Sequence, residues 1–309
     1  MRILFAGTPA VAVPSLKQLV QDGFDVAAVL TRAPAPVGRK RVLTASPVQQ
    51  AAEELGIPVL TPRSLRKDPK IAAQIRDLAP EAIAVVAYGL IIPAALLDVP
   101  THGWINLHFS LLPRWRGAAP VNYALAAGDH ETGAATFRIE AGLDTGPVFE
   151  QIREPISDTD TAGDLLERLA KRGAPMLSHT LTALSAGTAT PTPQQGTITT
   201  APQFDSSWAR IDWTRPAPEV SARIRAVSPV PGAWTLLHGQ RFKVGPITVV
   251  EQSGRTLVPG EISDDGTVGT GTLPVKLGRV APAGKQHMDA ADWLRGAHLQ
   301  SATRFEEEK

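Results

Sequence analysis

The sequence contains no cysteine. That absence excludes disulfides, a thiolate nucleophile and cysteine-ligated zinc. No stretch of about 18 apolar residues occurs, so no membrane span is expected. The short run Ile3–Ala6 is too brief for a signal-peptide core, and the cytoplasm is the expected compartment. No sign of charge dominates: 31 Lys and Arg stand against 30 Asp and Glu, a formal net charge of +1. The region from residue 205 onward is weakly basic once the acidic tail Glu306–Glu308 is set aside. Such a bias permits contact with a polyanion without demanding one. Phosphate motifs are also missing. Phe5-Ala6-Gly7-Thr8-Pro9 follows the first expected strand but is not Gly-x-Gly-x-x-Gly, which speaks against a nicotinamide cofactor, and no Walker sequence occurs. The histidines at 102, 108, 130, 179, 238, 287 and 298 are scattered without metal-site spacing, so no metal is expected.

What is present is the composition of a soluble globular protein, with 43% apolar and 20% charged residues in a chain of 309. That length allows two domains. The first half alternates strand-like and helix-like segments. Strands are expected at Arg2–Ala6, Asp25–Thr31, Pro58–Thr61, Ala82–Ala87 and Trp104–His108, and helices at Ala10–Gly23, Pro47–Leu55 and Pro69–Leu78. This order predicts a Rossmann-like, mostly parallel α/β sheet with helices on both faces. Two further strands, Glu131–Ile139 and Val148–Ile156, precede a helix opened by the capping-box-like Thr161–Asp164 and ended by Gly187. Residues 188–203 are rich in Thr, Pro and Gln, as befits an extended linker. Beyond them one helix, Ala217–Val227, is followed by short strands at 233–238, 241–244, 247–251, 260–262 and 273–277, a pattern that predicts a small OB-like β-barrel. The expected division is therefore 1–188, a linker at 189–203, and 204–309.

The most informative segment is Ile105-Asn106-Leu107-His108, continued by Phe109-Ser110-Leu111-Leu112-Pro113-Arg114-Trp115-Arg116-Gly117. Alternate residues of a strand share a face. Asn106 and His108 therefore lie on one face, about 7 Å apart, at the carboxyl end of a strand where open α/β sheets bind ligands. A pair hydrogen-bonded to neighbouring loops is the plainer reading. The chemical reading is that histidine moves protons near neutrality and that an asparagine amide stabilises an oxyanion. With no nucleophile elbow in the chain, the substrate would bring its own nucleophile to a carbonyl. Gly142-Leu143-Asp144-Thr145-Gly146 reads first as a turn. If its carboxylate met the imidazole, it would raise the imidazole pKa and orient the ring. Gly38-Arg39-Lys40-Arg41 closes a proline-rich loop and is either a solvated tip or a contact for a phosphate backbone.

The whole pattern resembles the folate-dependent formyltransferase family over nearly the full chain. The resemblance is carried by Ile3–Pro9, Val85–Pro93, Asn106–Pro120, Gly142–Gly146, Ile211–Trp213, Ile224–Ala226 and Pro282–Lys285. The 106–120 segment is the most specific of these. The resemblance implies a catalytic triad of Asn106, His108 and Asp144, with a 10-formyltetrahydrofolate donor. That donor would be held by Ser110, Leu111, Leu112 and Pro113, by Tyr88, Gly89, Leu90, Ile91 and Ile92, and by Gly142. The implied acceptor is the α-amino group of methionine esterified to initiator tRNA. Arg39, Lys40 and Arg41 would reach the acceptor stem, a C-terminal barrel would offer a basic face, and the enzyme would be a monomer. The chain departs from the pattern at Phe109, where a small residue is usual, at Pro34-Ala35, which replace an Asp-Arg pair, and at Ser228–Gly232. A formyltransferase for a small amine, a hydrolase releasing formate, and a non-catalytic RNA-binding protein are the competing readings.

Overall fold

A computed structural model describes residues 1–38, 41–251, 256–300 and 302–306. Two compact units emerge. The first comprises Met1–Pro120, Thr132–Pro155 and Leu166–Pro202, and the second Val121–Glu131, Ile156–Leu165 and Gln203–Lys309. Residues 189–202 thus belong to the first unit. The second draws in two segments that a division at 188 and 204 would assign elsewhere.

The strands of the first unit are β1 (Arg2–Gly7), β2 (Asp25–Leu30), β3 (Ala35–Val37), β4 (Val42–Thr44), β5 (Val59–Leu60), β6 (Ala82–Val86), β7 (Trp104–His108), β8 (Glu131–Arg138) and β9 (Val148–Pro155). Seven of them form one sheet in the order β5-β2-β1-β6-β7-β8-β9. Pairing is parallel from β5 across to β7 and antiparallel between β7 and β8. Every residue of β6, Ala-Ile-Ala-Val-Val, is buried. A strand covered on both faces needs such an unbroken apolar run. Between β1 and β6 the winding reverses direction, and ligands bind beyond the strand ends at such reversals.

Helices α1 (Val13–Gln21), α2 (Pro47–Glu54), α3 (Pro69–Asp77) and α4 (Ala94–Leu97) connect these strands. The Ser46 hydroxyl accepts from the Gln49 N–H to cap α2, and the Asp68 carboxylate accepts from the Lys70 and Ile71 N–H groups to cap α3. Each cap satisfies donors that a helix start leaves open. The expected helix Ala10–Gly23 is instead a 3₁₀ turn at Ala10–Ala12 followed by α1, whose first turn holds a proline. A proline fits the start of an α-helix and not its interior. The loop expected at 33–41 is part of a hairpin in which Val37 pairs with Val42. Arg41 is exposed with φ 50°, while Arg39 and Lys40 lie outside the described residues.

Two helices, α5 (Pro120–Ala126) and α6 (Ala162–Ser185), follow. The Thr161 hydroxyl accepts from the Asp164 N–H while the Asp164 carboxylate accepts from the Thr161 N–H, a reciprocal cap as the sequence predicts. Leu165, Leu169, Leu177 and Leu181 of α6 are fully buried.

The second unit contains α7 (Ala217–Ala226), strands β10 (Trp234–Leu237), β11 (Gln240–Val244), β12 (Ile247–Val249), β13 (Thr267–Val268), β14 (Val275–Leu277), β15 (Arg279–Ala281) and β16 (Met288–Asp289), and α8 (Ala290–Ala297). The strands form antiparallel sheets in the orders β10-β11-β15-β16 and β12-β14-β13. The strand expected at 260–262 makes only isolated bridges. Trp213, Phe242, Trp293 and Phe305 centre the core, with Val244, Val268, Val275, Leu277 and Val280 contributed by both sheets. No helix among the described residues is long and apolar enough to cross a membrane.

Candidate active site

β7 delivers Asn106 and His108 to the carboxyl edge of the sheet. Its neighbours set the register: Asn106 lies opposite Val85 of β6 and Phe137 of β8, and His108 opposite Ala135. Beyond the ends of β6 and β7 lies a cavity of about 460 Å³. That volume lies within the range of small-molecule sites. Its walls include Val85, Leu90, Ile92, Leu107, Phe109 and Ile139, and its polar lining side chains are Tyr88, Asn106, His108 and Asp144.

The His108 ring is 6% exposed. Its Nε2 lies 3.0 Å from the Trp115 carbonyl oxygen. A carbonyl can only accept, so Nε2 carries the hydrogen and Nδ1 of the neutral ring keeps its lone pair. Nδ1 faces the Asp144 Oδ2 at 3.8 Å, too far for a direct hydrogen bond. That carboxylate oxygen accepts instead from the Gly117 N–H at 2.7 Å. A lone pair and a carboxylate therefore face one another across a gap that a shared proton or a donor N–H would bridge. Burial pushes the His108 pKa down, against the opposing pull of Asp144 and the Trp115 carbonyl, and the net direction is downward from 6.5. Asp144 raises this pKa as expected, but desolvation prevails over it.

Three of the eight left-handed non-glycine residues among those described lie here. Ala87, Trp115 and Asp144 all have left-handed φ, at 47°, 61° and 50°. Each such non-glycine residue costs about 1–3 kcal/mol. Gly117, at φ 125°, admits no side chain, because a Cβ would lie 2.6 Å from the Ala201 carbonyl oxygen. Only glycine can thus bring its N–H to Asp144.

Of the residues the sequence singles out, the structure gathers Asn106, His108, Asp144, Tyr88, Gly89, Leu90, Ile91 and Ile92 around the cavity. Ser110, Leu111, Leu112, Pro113 and Gly142 are not among its lining residues. The buried Ser110 hydroxyl donates to the Arg114 carbonyl, Leu111 packs against Gly133, and Leu112 joins Ala135 and Phe137 in a small core. Pro113 is buried, and Gly142 is exposed beside Thr145. Phe109, noted as a departure, is 6% exposed and forms part of the wall. The Arg114 guanidinium lies over the Trp115 ring, 4.8 Å from its centroid. Sequence reasoning did not single out the Trp115 carbonyl, Gly117 or Leu143 as site groups. Gly117 ends the quoted 105–117 segment and is the one the sequence could have flagged.

No group of three or more His, Asp or Glu among the described residues could hold a metal ion. The amide of Asn106 has no hydrogen-bond partner among the described residues, although it borders the cavity. The Tyr88 hydroxyl is buried and likewise unpartnered, and burial pushes its pKa up.

Comparison with known proteins identifies the family. The Formyl transferase family matches residues 1–181, and the Formyl transferase, C-terminal domain family matches residues 205–298. A methionyl-tRNA formyltransferase of Paenarthrobacter aurescens (strain TC1) is 56% identical over 309 residues, 99% of this chain and 100% of the relative. Another, from Arthrobacter sp. (strain FB24), is 55% identical with the same coverage. Among solved structures, the methionyl-tRNA formyltransferase of Clostridium thermocellum shares the fold at a TM-score of 0.58 and 16% identity, over 90% of this chain and 98% of that one. The N-formyltransferase of Helicobacter canadensis, solved with folinic acid and dTDP-3-aminofucose, does so at 0.66 and 18% identity, over 89% and 98%. The chain belongs to the formyl transferase family and, within it, to the methionyl-tRNA formyltransferases.

Proposed function

We propose that the protein transfers the formyl group of 10-formyltetrahydrofolate to the α-amino group of methionine on initiator tRNA. The observation that carries this reading is the facing pair of His108 Nδ1 and Asp144 beside the unpartnered Asn106 amide, inside a cavity with apolar walls. A flat pterin suits those walls. The backbone of residues 87–92 offers polar edges to it.

The α-amino group of an aminoacyl ester has a reference pKa near that of a chain terminus, about 7.7–8.0, so a neutral fraction exists at pH 7. The amine nitrogen attacks the formyl carbon and the carbonyl electrons move onto oxygen. The Asn106 amide donates to that oxygen. One such neutral donor contributes roughly 3–4 kcal/mol to a transition state. His108, neutral before reaction, accepts a proton from the amine at Nδ1. The Asp144 carboxylate, 3.8 Å away, stabilises the imidazolium so formed. That proton passes to N10 of the folate as the carbon–N10 bond breaks. The products are a formamide and tetrahydrofolate. Holding both substrates in one cleft removes much of the entropic barrier.

In this reading the first unit, which includes 189–202, carries the chemistry, and 204–309 bind tRNA together with Arg39, Lys40 and Arg41. The enzyme acts as a cytoplasmic monomer without a metal. A competition assay tests it. The protein receives 10-formyltetrahydrofolate together with methionyl-tRNA, glycinamide ribonucleotide and water, and the products are identified by mass. Formylmethionyl-tRNA as the dominant product is expected. Dominant formylation of the small amine, or release of formate, would overturn the reading.

A further inference from the structure

The segment from 188 to 202 has the composition of a connector, yet it is bonded at several points to the two loops that meet His108. Its Thr192 pairs with Val148 in an isolated bridge, and Thr200 with Arg116. The Thr199 hydroxyl accepts from the Trp115 N–H at 2.8 Å, and the Thr199 carbonyl accepts from the Arg116 N–H at 2.9 Å. Gln194 makes the largest set of side-chain bonds. Its Nε2 donates to the carbonyl oxygens of Asp144 and Gly146, both at 2.8 Å. Its Oε1 accepts from Arg116 Nε at 3.1 Å and from Nη2 at 2.7 Å. One primary amide thus uses both of its N–H groups on the turn that holds Asp144 and its oxygen on the loop that holds Trp115 and Gly117.

We propose that Gln194 is a positioning residue for the formyl transfer: its amide ties the Asp144 turn to the 115–117 loop, so that the Asp144 carboxylate and the Trp115 carbonyl stay aimed at the two nitrogens of His108. The inference rests on the assignment of His108 and Asp144 to catalysis. The tie is needed because Trp115 and Asp144 both hold left-handed backbone. Strained positions persist only where their surroundings over-determine them. Among the described residues, no other titratable side chain than His108, Asp144 and Tyr88 lines the cavity.

The test uses Gln194→Met, which keeps length and shape but no hydrogen bonds, and Gln194→Glu, which keeps an acceptor for Arg116 and loses both donors to the Asp144 turn. Both variants are expected to lose kcat by roughly 10- to 100-fold, the scale of an ångström-sized misplacement. The KM for folate should change far less. The diagnostic readout is the His108 ring titration, followed by NMR in the substrate-free protein. Asp144 and the Trp115 carbonyl both favour the protonated ring, so loosening them in Gln194→Met, which adds no charge, moves its midpoint downward. A purely structural Gln194 would lower melting temperature or active fraction and leave that midpoint, and the kcat of the folded fraction, at wild-type values. That result overturns the proposal. His108→Ala, assayed alongside, separates the two claims: near-normal turnover there removes the catalytic assignment, whereas a large loss there with unchanged Gln194 variants removes only the role of Gln194.

Discussion

At the scale of single residues, the site depends on an imidazole kept neutral by burial. Asn106→Ala should lower kcat by about 10²–10³, the usual effect of deleting an oxyanion donor. Melting temperature should hold, because the amide makes no bond that folding relies on. Steady-state kinetics with methionyl-tRNA checks this, and near-normal kcat would end the oxyanion role. The depressed His108 pKa makes a second prediction. Above pH 6.5 the ring is neutral in both folded and unfolded chains and adds no pH dependence. Below it, the unfolded chain takes up a proton that the folded chain resists, so stability falls with acidification. Urea unfolding of wild type and His108→Gln at pH 8 and pH 5 should therefore show the wild type losing ground to the variant at the lower pH. A constant difference between the two would refute it.

At the scale of elements, the hairpin of β3 and β4 is the feature that the chain's local pattern concealed. Prolines and glycine marked 33–41 as a loop, and three-residue strands are too short for alternation to register. Val37, Val42 and Leu43 remain 57%, 59% and 69% exposed on it. In sequence, the basic run Arg39-Lys40-Arg41 lies between its two strands; on the proposed reading Arg39→Ala should weaken tRNA binding and flatten the salt dependence by about one phosphate contact. Folate binding should be unaffected. Titrations at several salt concentrations decide it, and an unaltered slope removes the basic run from the tRNA contact. Where elements are long and patterned, the sequence was legible. β6 is an unbroken apolar run, α6 repeats leucines on one face between a readable cap and Gly187, and the polar pair on β7 marks the site. The helices α4, at four residues, and α5, at seven, span too few turns to show a period. Gln194 was invisible for another reason. Its partners are 48 to 78 residues away in sequence, and nothing local in a Pro- and Thr-rich stretch distinguishes a bonded strap from a loose one.

At the scale of the whole molecule, neither compact unit is a continuous stretch of chain. Within the second unit, the Asn122 amide donates to the Ala226 carbonyl at 2.7 Å, and Tyr123 lies 5.0 Å from Trp208 between ring centroids. The Gly163 N–H donates to the Ser228 carbonyl, and Arg225 Nη1 to the Asp160 carbonyl. A fragment cut at 204–309 lacks Asn122, Tyr123, Asp160 and Gly163 together. It should bind a hydrophobic dye and unfold at lower urea than the same residues do in the intact chain, with fluorescence of Trp208 and its neighbours as the probe. Equal midpoints would show that those segments contribute nothing to its stability. The interleaving also orders events during synthesis. As the nascent chain leaves the ribosome, residues 121–131 and 156–165 emerge well before the remainder of their own unit, while the strap that steadies the His108 pocket follows only at 188–202. The reaction centre can be assembled as soon as that strap is out, but the earlier two segments must wait, with apolar surface uncovered, for everything beyond 203.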